Sequence, residues 1–195
     1  TEAHDASPRR CAQHVMYVIL DLLVRGLAPI AAVTCDDVWE HMRAAGWVTE
    51  PSVHLAAWPK APAAALDAAG QARWARFRAV RDAVMKALEE QRIARVIGSP
   101  LEARVTLVAD AELARLVRAH QQTLAEAFVV SEVDVREDGA GSPGTDVPGL
   151  RQVVVARAAG AKCARCWKHL MSVGTEPAHP ALCDRCARVV ATTTV

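Results

Sequence analysis

The sequence predicts a mainly α-helical chain with a small α+β segment, closed by a compact metal-binding module. Three observations carry this. Two long stretches, 8–27 and 71–96, repeat apolar residues at helical spacing. One stretch, 101–108, alternates apolar and polar residues as a half-buried strand does. Finally, Cys163-Ala-Arg-Cys166 and Cys183-Asp-Arg-Cys186 stand sixteen residues apart. Two tight turns, each offering two thiolates across a short excursion, suit a tetrahedral structural zinc ion. Four sulfurs at about 2.3 Å leave no open position for a reacting water. The site therefore reads as structural, with one Zn²⁺ held by Cys163, Cys166, Cys183 and Cys186.

Along the chain, Ser7-Pro8 resembles a helix start, a cap residue followed by proline. The helix should reach Leu27. Arg10, His14, Tyr17, Asp21 and Arg25 form one polar stripe on an otherwise apolar cylinder. That pattern predicts a solvated stripe on a helix packed on its other sides within a bundle. Thr34 to Asp37 resembles a capping box for a second helix, stopped at Gly46. Pro51, Pro59 and Pro62 make 47–70 mostly connection. In the next helix, 71–96, Trp74, Phe77, Val80, Val84, Leu88 and Ile93 line one face. Its basic residues, Arg92 among them, are candidates for phosphate contact. After Gly98-Ser-Pro100 and the strand 101–108, Asp110 should cap a helix to about Leu124. Strands are expected at 128–135 and 152–156, with a flexible loop at 137–149 between them. The expected divisions are 1–98, 99–157 and 158–195.

Composition narrows the function classes. The 195 residues carry a net charge of +1, so no global field points to nucleic acid or membrane. From Arg151 onward, however, seven Lys/Arg face only Glu176 and Asp184, a local +5 that the thiolates partly offset. The most hydrophobic run, 15–28, holds Asp21 and Arg25 and is too short to span a bilayer. Residues 1–8 lack the apolar core of a signal peptide. Cys11 and Cys35 are expected to be buried small hydrophobes, which fits a reducing, cytoplasmic compartment. No phosphate-cradling glycine loop, G-x-S-x-G or H-E-x-x-H occurs, so no catalytic centre is expected in this chain. Trp167 directly follows a ligand. It either caps the metal site or projects as a platform on which a base stacks.

The residues resemble one family. Lys162-Cys-Ala-Arg-Cys-Trp167, Val173-Gly174, His179-Pro180 and Leu182-Cys-Asp-Arg-Cys186 are similar to the carboxy-terminal zinc finger of bacterial isoleucyl-tRNA synthetases. Further upstream, 97–105, Ser52-Val-His-Leu with Trp58-Pro59, and Leu27-Ala-Pro-Ile30 with Asp37-Val-Trp39 resemble stretches of the same family, in its order. Pro100 stands where that family commonly has serine. The resemblance implies a helical anticodon-binding domain at 1–98, a small α/β segment and the finger, with tRNA(Ile) as partner. It also implies catalytic and editing domains upstream, whose H-I-G-H and K-M-S-K-S signatures do not occur in this sequence. The family's suggested anticodon contacts carry over to Arg165 and Trp167. Formamidopyrimidine-type DNA glycosylases end in a similar finger and form the competing class. A free-standing RNA-binding zinc protein is the third reading.

Overall fold

The computed structural model describes residues 2–60, 67–138 and 144–192. They fall into two compact units, 2–65 and 66–195.

In the first unit, α1 (Ser7–Leu27) packs on α2 (Ala32–Ala44). Their shared core holds Val24, Ala28, Cys35, Trp39, Met42, Val48 and Val53. Trp39 is fully buried and donates its indole N–H to Glu50 O at 2.8 Å. The Ser52 hydroxyl and the Val53 N–H both donate to Asp36, at 2.7 and 3.1 Å. This ties a short 3-10 turn, Val53–Leu55, to α2 and gives the connecting stretch a regular piece.

Several local expectations fail here. Ser7 lies inside α1, behind Ala6, and caps nothing; α2 starts two residues before Thr34, with no side-chain cap. The expected solvated stripe of α1 holds only at Arg10 and His14, which are exposed; Tyr17, Asp21 and Arg25 are half-buried. Tyr17 packs edge-on against Trp47. Arg25 pairs with Asp21 at 2.8 Å and lies 4.9 Å above the Trp39 ring. Val15, Met16, Ile19 and Leu23 are exposed instead. The physical reason is that Tyr and Arg have long apolar bodies that cover a core while their polar tips find partners. Cys35 is buried as expected, but Cys11 is exposed.

The second unit is built on α3 (Ala68–Ile93) and a three-stranded sheet. Asp67 caps α3 by accepting from Gly70 N at 2.6 Å. Phe77, Val80, Val84 and Leu88 are buried, whereas Trp74 and Ile93 are exposed, so the inward stripe is shorter than the sequence pattern suggests. The central strand β1 (Ala103–Ala109) runs parallel to β2 (Glu132–Glu137) and antiparallel to β3 (Leu150–Arg157). Ala103, Val105, Leu107 and Ala109 point into the core, as the alternation requires.

Asp110 caps α4 (Ala111–Arg118), accepting from Leu113 N at 2.9 Å. The helix stops short of Leu124; a 3-10 turn and the brief α5 (Leu124–Ala127) follow. Phe128 is the residue that closes α5 rather than the start of a strand. Val129 then takes a left-handed conformation, φ +57°. Val129 N bonds to Glu126 O and Val130 N to Ala125 O, the double bond pattern of a Schellman helix end. Glycine usually marks that position, so the corner was invisible in the sequence. The expected fold class, mainly α with a small α+β part and a four-cysteine module, is what the structure shows.

Candidate metal centre and nucleic-acid interface

The metal centre sits between a hairpin and a helix. Strands β4 (Ala161–Lys162) and β5 (His169–Leu170) pair antiparallel and present residues 163–166 at their tip. Cys183 and Cys186 lie at the start of α6 (Asp184–Thr192). Gly160 opens the hairpin with φ +95°, and a Cβ there would collide with the Leu170 carbonyl. Only glycine allows so close a crossing.

The ligating atoms of Cys163, Cys166, Cys183 and Cys186 all lie within 4.8 Å of one another, with Cys166 Sγ and Cys183 Sγ 3.8 Å apart. A tetrahedron of sulfurs at about 2.3 Å from zinc has edges of about 3.8 Å. Cys163, Cys183 and Cys186 are fully buried. The Cys183 N–H donates to Cys163 Sγ at 3.3 Å, and Arg165 reaches Cys186 Sγ at 3.7 Å. Such second contacts orient thiolates and offset their charge. The donor set suits one structural zinc ion and leaves no place for His169 or His179.

Burial raises the Cys163 thiol, but N–H donors from Cys166, Cys183 and Arg165 overcome it and bring the thiol down to about 6. Burial, with the neighbouring sulfurs, pushes Cys183 up to about 12, and burial raises Cys166. A cation must therefore displace protons from Cys166 and Cys183 near neutral pH. Zinc loading at pH 7.5 should release at least two protons, and acidification should weaken it. Calorimetry in buffers of different ionisation enthalpy reads the number; heats independent of the buffer would contradict it.

Trp167 lies 60 % exposed. It does not fill the core of the finger, which is made by the cysteines with Leu170, Val173 and Leu182. Its backbone is left-handed, φ +66°, and its N–H bonds to Cys163 O at 2.9 Å. The Lys162 ammonium stands 5.6 Å from the ring centroid, within cation–π range. Of the other sequence-derived candidates, Arg165 is drawn toward Cys186. Arg92 lies elsewhere, near the end of α3, in a two-point pair with Glu89 at 2.7 and 2.8 Å. Partners of the hairpin that the sequence reading missed are Glu126 and Ser131, which meet Lys168 and His169. Burial pushes the Glu126 carboxyl up, but Lys168 and Arg185 outweigh it and hold it below its ordinary value. That contact is therefore kept at neutral pH and lost only as acid protonates Glu126 below the usual glutamate range.

The family model described as "Anticodon-binding domain of tRNA ligase" matches residues 1–107. The chain belongs to that family. A second model, "Zinc finger found in FPG and IleRS", matches residues 160–189, the hairpin and both cysteine pairs. The chain is 42 % identical over 192 residues to an isoleucine–tRNA ligase of Geobacter sulfurreducens, covering 97 % of this chain and 20 % of the relative. To isoleucine–tRNA ligases of Moorella thermoacetica and Syntrophotalea carbinolica it is 39 % and 41 % identical, covering 93 % and 95 % of this chain. The chain thus spans about a fifth of the length of these relatives. The finger alone would suit a glycosylase as well; the anticodon-binding match over 1–107 disfavours that alternative. Among the described residues no helix is long and apolar enough to cross a membrane.

Proposed function

We propose that this chain is the tRNA-binding part of an isoleucine–tRNA ligase and meets the anticodon stem-loop of tRNA(Ile). Its partners in the same polypeptide are the catalytic and editing domains, and the whole works in the cytoplasm. Residues 1–98 form the anticodon-binding part, 99–157 a connecting α/β segment and 158–195 the finger. Cys163, Cys166, Cys183 and Cys186 hold zinc as a rigid frame. Trp167 offers its ring to an unpaired base, the usual way proteins read splayed RNA loops. Arg165 keeps its charge beside the thiolates and extends the same surface toward the loop. Arg92 exchanges Glu89 for a phosphate, a contact that fades as salt rises.

The observation that carries this reading is the exposure of Trp167 on a metal-held turn. A large aromatic that neither fills the core nor favours its own backbone conformation needs another reason to be there. The test is a complete synthetase lacking residues 158–195. It should still exchange pyrophosphate with ATP in the presence of isoleucine, and should charge tRNA(Ile) at least tenfold more slowly. Unimpaired charging would overturn the proposal.

A further inference from the structure

We propose that Glu126 and Ser131, on the two sides of the α5–β2 corner, are positioning residues that set the direction in which Trp167 is presented. This rests on the reading of Trp167 as a base-stacking platform. The two residues after Trp167 are both fastened to that corner. Lys168 Nζ reaches Glu126 Oε1 at 2.7 Å, and the Lys168 side chain is only 14 % exposed. His169 N–H donates to Ser131 Oγ at 2.7 Å, while the same hydroxyl donates to Leu101 O at 2.5 Å. Ser131 is itself buried, at 5 % exposure. Glu126 also faces Arg185, between the second pair of cysteines, at 3.7 Å. One carboxylate thus touches both halves of the metal module.

The four sulfurs close the turn without help from this corner. What the corner adds is aim. A zinc-held hairpin attached only through its two chain ends could swing, and the ring of Trp167 would swing with it. Glu126 and Ser131 fix the hairpin just past the ring, against the 3-10 turn that leads into β1 and the end of α5. The corner itself is held in an uncommon shape, because Val129 between them is β-branched and left-handed. Backbone held against its preference is found where geometry serves a site.

The experiment uses Glu126→Ala and Ser131→Ala in the complete, zinc-loaded synthetase, each alone and combined with Trp167→Gly. Each single variant should keep one zinc and full isoleucine-dependent pyrophosphate exchange. KM for tRNA should rise about three- to tenfold with kcat within about twofold. In the Trp167→Gly background the same changes should add nothing, because residues acting through one group are not additive. Hydrogen exchange of the 167–173 segment should quicken about tenfold while that of 103–109 stays unchanged. Should Ser131→Ala lose zinc or fail to fold, Glu126→Ala decides alone, since its carboxylate is half exposed. Unchanged KM, or an equal rise with Trp167 already gone, overturns the proposal. Loss of protection in 167–173 with no tRNA effect from Trp167→Gly itself would keep the fastening and reject the stacking role beneath it.

Discussion

A complete synthetase carrying Trp167→Gly should keep its zinc and its amino-acid activation, and should lose about ten- to a hundredfold in tRNA use. The size follows from base–aromatic stacking, worth about 1–3 kcal/mol by truncation, at about 1.4 kcal/mol per decade. Glycine is a sharper choice than alanine here. At φ +66° an alanine would retain the backbone penalty, whereas glycine adopts that conformation readily. The zinc turn should therefore be as stable as before or more so. If Trp167 served packing, its removal would open a hole; at 60 % exposure it leaves almost none. The Lys162 ammonium beside the ring loses its cation–π partner, a small change at an exposed position. Loss of zinc from this variant, or unaltered tRNA kinetics, would remove Trp167 from the interface.

Cys183→Ser should have the largest structural effect of any single change in the finger. Cys183 is fully buried, lies 3.8 Å from the Cys166 sulfur, and donates its N–H to the Cys163 sulfur. Serine supplies a hard, protonated oxygen where the ion is matched by thiolate. Among the described residues, Leu170, Val173 and Leu182 are the apolar side chains packed on the cluster besides the cysteines themselves, too few to hold a module of this size without the metal. Structural zinc supplies an apparent value of about 10–16 kcal/mol in small fingers, roughly the whole of their folding free energy. The expected outcome is release of the metal and rapid tryptic cleavage at Lys162, Arg165, Lys168, Arg185 and Arg188. The sheet and α3 keep their own core of Val80, Val84, Val105, Leu107 and Phe128, so cleavage should stop there. Elemental analysis showing one zinc retained would contradict this.

What could be read from the chain beforehand follows the range of each interaction. The cysteine pairs were legible because ligation depends on spacing over a few residues, and the helices because burial repeats every turn. The face of α1 was not legible. Tyr17, Asp21 and Arg25 look solvated as letters, yet Trp39 gives Arg25 an aromatic surface and Trp47 gives Tyr17 an edge. The end of α5 was missed because Val129 occupies a left-handed position that glycine would have announced. Glu126 and Ser131 carried no signal at all. They meet Lys168 and His169 across separations of 42 and 38 residues, and no local pattern records such a contact. Exposure of Trp167 is likewise a tertiary fact that residue type alone does not record.

Photocrosslinking tests the central claim most directly. tRNA(Ile) carrying 4-thiouridine in the anticodon loop, bound to the complete zinc-loaded synthetase and irradiated, should attach to the tryptic peptide Cys166-Trp167-Lys168, and Trp167→Gly should abolish that product. A loop that crosslinks elsewhere on the protein and leaves this peptide unmodified would show that the metal-held turn does not meet the anticodon.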